Sequence, residues 1–230
     1  MNRKEFLKVS AAVLGAPLIP SVPSFLEDDR VIVHGDRSKP QVALTFDDGF
    51  LPWQVEKILR IADDSGLKFT FFPVGWRVLD KEPDLWRAVA EKGHEIENHS
   101  HSHRILRSDR IKPDEMAYDI LLHQVVLDSI LGYHYPEKFF RPPGGYVEPA
   151  VLQAASDLDL RVVKWSLSSG GTGFLSTPDS SFHNVSRAKN GDIVLLHCIN
   201  NDTQKLSQMI DMLQTSGLEL VTLSDLIGIA

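Results

Sequence analysis

The sequence has a single cysteine, Cys198, among 230 residues, so no intrachain disulfide holds it together. Positive charge is also short: 24 Lys and Arg against 31 Asp and Glu leave a formal net charge of -7. Nucleic acid and anionic membrane surfaces both demand a basic face, so neither is an expected partner. Low-complexity tracts and internal repeats are missing too, which excludes disordered and solenoid architectures. What is there is ordinary globular composition, 43% hydrophobic and 24% charged, at a length that suits one large domain or two small ones.

The N-terminus carries its own message. Arg3-Lys4-Glu5-Phe6-Leu7-Lys8 is a charged opening, followed by a small and apolar run from Val9 to Ile19 and a proline-rich exit at Pro20 and Pro23. That is the layout of a bacterial export signal. It resembles a twin-arginine signal with Lys4 in place of the second arginine. An amphipathic helix or a membrane anchor is the competing reading. The run falls short of the about 20 residues that span a bilayer, and prolines break it. No cysteine follows it for lipid attachment. The expected division is an export signal over 1–26, a polar linker over 27–39 and a folded domain over 40–230, with no transmembrane segment once the signal is removed. The protein is then periplasmic, extracellular or at the cell surface.

Within the domain, Gln41 to Phe46 is a short apolar run that ends in Asp47-Asp48-Gly49. Such a run with a glycine stop predicts a buried strand. Two adjacent carboxylates at its end repel each other, and a divalent cation would remove that conflict. Further strands are expected at 69–72, 95–98, 138–140, 160–165, 193–196 and 218–221. Helices are expected at 52–64, 84–92, 113–130, 149–157 and 203–216, and a Ser/Gly-rich loop at 166–179. Regular alternation predicts one α/β domain with a parallel sheet. Asp47, Asp48, His99, Arg141 and His197 all fall just past strand ends, the face on which a βα barrel carries its site.

Taken singly, each signal has a bland alternative. His99 and His103 are four apart, so one helical turn would place both on one face. With a carboxylate they make a three-ligand set that leaves a position open, as in catalytic zinc sites; a solvated histidine cluster is the other reading. His197 after Leu195-Leu196 also reads as a core histidine. Arg141 before Pro142-Pro143 is placed either to hold a carboxylate or to sit on the surface.

The order of these signals is more specific than any of them. Thr45-Phe46-Asp47-Asp48-Gly49, His99-Ser100-x-x-His103, Arg141-Pro142-Pro143 and Leu195-x-His197 resemble the polysaccharide deacetylases, the NodB-homology group of carbohydrate esterase family four. Phe71-Phe72-x-x-Gly75, Gly93-His94-Glu95-Ile96-x-Asn98 and Gly191-Asp192-Ile193-Val194-Leu195 add to the resemblance, which runs from about Pro40 to the C-terminus. It implies an irregular (β/α)7 barrel. It also implies removal of acetyl groups from an acetylated glycan, such as peptidoglycan or chitin-like oligomers. Asp48, His99 and His103 would bind a divalent metal, zinc first and cobalt, nickel or manganese next. Asp47 would be the general base, Arg141 its partner and His197 the general acid. Gly144 would supply the oxyanion donor, and Leu195 and Trp165 would line the substrate side.

Three departures accompany the resemblance. Gly144 stands where the family usually has tyrosine, with Tyr146 two residues on. Glu97 replaces a frequent glycine. The stretch after Trp165, Ser166-Leu167-Ser168-Ser169-Gly170-Gly171, lacks the usual aspartate that supports the catalytic histidine; Asp179 and Glu148 are the candidate substitutes. Two other functions compete: a carbohydrate-binding pseudoenzyme, and an O-acetyl xylan esterase or cyclic amidase on the same scaffold.

Overall fold

A computed structural model describes residues 30–76 and 83–229. The expected export signal and the start of the linker lie outside the described residues. Among those described, no helix is long and apolar enough to cross a membrane.

The centre of the fold is β2, Gln41–Asp48, buried from Val42 to Asp47. It pairs in parallel with β3, Thr70–Pro73, and with β8, Ile193–His197. β4, Glu95–Ile96, extends the sheet beyond β3, and β7, Leu167–Ser168, extends it beyond β8. A second sheet holds β5, Phe139–Phe140, and β6, Arg161–Val163, with β1, Val31–Ile32, on its edge. A parallel bridge between Asn98 and Phe140 joins the sheets, and the chain from β6 to β7 crosses back. β9, Glu219–Leu220, covers the start of β2. The result is one domain with the irregular (β/α)7 barrel expected from the sequence.

Strands with both faces covered should be near-continuous in apolar residues, and β2, β3 and β8 are. Phe46 packs on Phe69 and Phe71 at ring separations of 5.4 and 5.6 Å. Cys198 belongs to the same core, and burial pushes its thiol pKa up, so it packs as a small apolar side chain.

Helices return each strand to the next. α1, Pro52–Ser65, starts on a proline that needs no N–H partner and stops at Gly66, φ 68°, the left-handed cap that glycine adopts without strain. Its buried stripe is Val55, Ile58, Leu59 and Ala62; Ile61, expected in the stripe, is half-buried. α2, Pro83–Glu91, and α3, Pro113–Leu131, follow. α4, Pro149–Ser156, precedes β6.

The stretch expected as a loop, 166–179, contains β7 and the start of α5, Pro178–Val185, whose first turn is set by a capping box between Thr177 and Ser180. The expected helix over 203–216 is broken into α6, Asn200–Thr203, and α7, Leu206–Thr215. A short α8, Leu223–Ile227, ends the described chain.

Candidate active site

Register brings the site together. Asp47 is the ladder partner of His197 across β2 and β8. His99 and Arg141 each lie one residue past the Asn98–Phe140 bridge. Four chain segments therefore deliver polar side chains to one end of the barrel.

The adjacent aspartates are separated by backbone conformation. Asp47 continues the strand, whereas Asp48 takes a left-handed φ of 72°, a region that aspartate tolerates better than most residues. Asp47 Oδ1 accepts a hydrogen bond from the Arg141 guanidinium at 2.6 Å. Its Oδ2 is 3.7 Å from His99 Nε2. Asp48 Oδ1 lies 3.6 Å from His99 Nε2 and 3.2 Å from His103 Nε2.

The two histidines are not on a helix, as their spacing suggested. Their turn is irregular, with Ser100 and His103 at φ 61° and 59°, and these left-handed residues bring the rings to 5.0 Å between centroids. His101 is half-buried between them and outside the cluster. His99 Nδ1 bonds to the backbone carbonyl of Arg141 at 2.6 Å. A carbonyl only accepts, so Nδ1 carries the proton and the Nε2 lone pair faces Asp48. Burial lowers the His99 pKa against the pull of Asp47 and Asp48, which keeps the imidazole neutral. Burial works to raise Asp48, but hydrogen bonding to His103 holds its carboxyl below the usual range. One carboxylate oxygen and two imidazole nitrogens lie within 4.8 Å of one another. This donor set, with its tautomer fixed from behind, fits a divalent cation.

Arg141 is wholly buried. Besides Asp47 it donates to Thr45 Oγ1 at 2.8 Å and to the Lys164 carbonyl at 3.0 Å. Its guanidinium carbon lies 4.1 Å from the Phe72 ring centroid and 5.9 Å from that of Trp165. A guanidinium so confined holds Asp47 in one orientation.

Of the residues expected on the substrate side, Leu195 is buried two residues before His197 and so on the same strand face. Gly144 is exposed with φ 64°; a Cβ there would approach Ile105 Cδ1 to 2.8 Å. Tyr146 hydrogen-bonds Glu148 at 3.2 Å and lies under Arg107.

Two of the sequence departures have a structural explanation. Glu97 is buried and accepts the backbone N–H groups of Lys138 and Phe139 at 2.8 and 2.7 Å. Burial raises its pKa, so this carboxyl is spent on pinning β5. The support for His197 comes from neither Asp179, which is paired with Lys205, nor Glu148, which binds the Ser108 N–H. It comes from Asp202 on α6, fully buried, whose Oδ2 accepts the His197 N–H at 2.8 Å and lies 3.8 Å from Nδ1. Burial lowers His197, but the Asp202 carboxylate beside its ring and the charges of Asp47 and Asp48 outweigh it, and the net direction is upward. Asp202 follows His197 by five residues in a polar Asn-Asn-Asp-Thr run, a signal that resembles any helix start.

The chain matches the polysaccharide deacetylase family model over residues 34–163. The chain belongs to the polysaccharide deacetylase family. It is 32% identical over 192 residues to a peptidoglycan-N-acetylglucosamine deacetylase of Bacillus cereus, covering 81% of this chain and 87% of that protein. A solved peptidoglycan N-acetylglucosamine deacetylase superposes with TM-score 0.79 at 29% identity, over 87% of this chain and 94% of the other. A carbohydrate esterase family four pseudoenzyme from Bacillus anthracis superposes equally well, TM-score 0.79 at 23% identity over 86% and 68% of the two chains, which attests the fold alone. The polysaccharide deacetylase is thus a hydrolase that removes acetyl groups. The family is metal-dependent, and Asp48, His99 and His103 form the cluster among the described residues that fits an ion.

Proposed function

We propose that this deacetylase removes the N-acetyl group from N-acetylglucosamine residues of a cell-wall glycan, after export from the cytoplasm. The convergence of Asp48, His99 and His103 within 4.8 Å, with Asp47 and His197 facing each other across the ladder, carries the reading. The names of the relatives supply the glycan.

Asp48, His99 and His103 would hold the cation, with zinc as first occupant and cobalt, nickel or manganese as competitors. When bound, it supplies Lewis acidity to the acetyl carbonyl and to water. Asp47 accepts the proton of the attacking water through Oδ2, because Arg141 occupies Oδ1. The water oxygen bonds to the carbonyl carbon, and the Gly144 N–H donates to the developing oxyanion. His197, whose protonated form Asp202 favours, donates its proton to the amine nitrogen as the carbon–nitrogen bond breaks. Acetate and a free amine leave. Leu195 and Trp165 line the space for the acetyl methyl group. The pseudoenzyme reading turns on a missing carboxylate behind His197, and the Asp202 carboxylate 3.8 Å from its Nδ1 supports turnover instead.

The test is acetate release from zinc-supplemented protein offered peptidoglycan, chitin oligomers and acetyl xylan, with ring opening of a cyclic amide scored separately. Acetate from the N-acetylated glycans is expected. Acetate from acetyl xylan alone, or ring opening alone, would replace this substrate class, and a fully zinc-loaded protein silent on every substrate would sink the proposal.

A further inference from the structure

Behind the histidine turn lies a buried polar chain that the deacetylation chemistry does not use. The side chains of His123, on α3, and Glu137, in the segment before β5, have no solvent exposure, and Nδ1 lies 2.6 Å from Oε1. His123 Nε2 bonds to the Pro73 carbonyl at 2.9 Å. That carbonyl can only accept, so Nε2 carries a proton and one more proton lies between Nδ1 and Oε1. Pro73 is the ladder partner of Asp48. Glu137 Oε2 accepts from Asn98 Nδ2 at 2.7 Å, and the same amide also donates to the Ile120 carbonyl at 3.0 Å.

The amide's other end reaches the ligands. Asn98 Oδ1 accepts the Ser100 N–H at 3.0 Å, and Ser100 Oγ accepts the His103 N–H at 3.0 Å. Ser100 and His103 are the two residues of the turn held left-handed, a conformation that costs a β-substituted residue about 1–3 kcal/mol unless its surroundings impose it. Every hydrogen-bonding atom of the Asn98 side chain is thus engaged, and its orientation is set by Glu137 and Ile120. Without Glu137 the amide nitrogen keeps only the Ile120 carbonyl, and the hold that commits its oxygen to Ser100 is weakened.

We infer that the His123–Glu137 pair is a positioning device for the metal site. It orients Asn98, Asn98 imposes the left-handed turn, and the turn sets the separation of His99 and His103. The inference rests on the reading of Asp48, His99 and His103 as ligands. Groups supporting a ligand from outside the site commonly govern 10–100-fold of metal affinity.

Zinc affinity of the full chain, measured by chelator competition, tests it without recourse to activity. Glu137→Leu and His123→Phe are expected to weaken zinc binding by about 10–100-fold. Glu137→Gln is expected to stay within about threefold, because its amide can donate to His123 Nδ1 while its oxygen accepts from Asn98. If the first two do not fold, Glu137→Asp, which withdraws the carboxylate by one methylene, must show the weakening. Leu127→Ala, an apolar truncation on the same helix, controls for stability and should lower Tm with zinc affinity intact. Native zinc affinity in folded Glu137→Leu, His123→Phe or Glu137→Asp overturns the inference, as does an equal loss in Leu127→Ala. Asp48→Ala separates the premise: if it binds zinc like the parent, the ligand assignment has failed, and if it loses zinc while the pair variants do not, the positioning role alone has failed.

Discussion

Asp202 Oδ2 takes the backbone N–H of His197 at 2.8 Å while standing 3.8 Å from the Nδ1 of the same residue. One buried carboxylate therefore fixes the backbone of the proposed acid and favours the charged form of its ring. His197 is raised as a result, which extends its protonated, proton-donating form toward higher pH. Asp202→Asn keeps the shape and removes the charge. The alkaline limb of the kcat–pH profile should then move to lower pH by about one unit, with kcat at pH 8 down about tenfold or more. An unchanged alkaline limb in a folded Asp202→Asn protein would show that His197 does not depend on it.

Gly171 offers an independent approach to the same pair. A Cβ at this position would fall on the Asp202 carboxylate well inside van der Waals contact, so the Ser/Gly stretch leaves the room that Asp202 occupies. Gly171→Ala should displace Asp202, shift the alkaline limb in the same direction as Asp202→Asn, and add little to it in the double variant. Additive effects in that cycle would mean that the two residues act separately.

The adjacent aspartates should come apart under substitution. Asp48→Asn removes a charged ligand and is expected to lower zinc affinity by at least about tenfold. Asp47→Asn leaves the ligand set in place and is expected to keep zinc within a few-fold while kcat falls by about 10²–10⁴. Zinc titration beside steady-state kinetics decides it. Equal retention of zinc in both variants would contradict the division of roles.

How far the sequence anticipates this site follows from how local each signal is. Asp47-Asp48, His99, Arg141 and His197 mark strand ends, and a strand end is legible from a few neighbouring residues, so the face they share was expected. The reason His99 and His103 meet was not: their spacing fits a helical turn, whereas two left-handed residues fold the turn, capped by the side chain of Asn98 immediately before it. β7 is two residues long, Leu167–Ser168, too short for any period to register. α5 carries a local start signal in Thr177-Pro178-Asp179-Ser180, which the surrounding serines and glycines obscured. Asp202 was the hardest to see, because its role exists only through its contact with His197 and Ser181, and pattern alone does not report a contact.

Acid stability depends on a histidine away from the chemistry. His94 is buried, and its Nδ1 accepts the Phe69 N–H at 3.0 Å. Burial is the first cause, and the nearby Lys68 charge the second, of a pKa lowered to about 4. An unfolded histidine titrates near 6.5. Below that pH the unfolded chain binds a proton that the folded chain refuses, so the stability present above pH 6.5 drains away as pH falls toward 4. The loss should amount to about 1–2 kcal/mol, since part of the shift is screened by solvent. His94→Asn keeps an acceptor for Phe69 and does not titrate. Urea midpoints of the two proteins at pH 7 and pH 4.5 should therefore converge, with the parent losing more. Parallel losses in both would assign the acid sensitivity to another group.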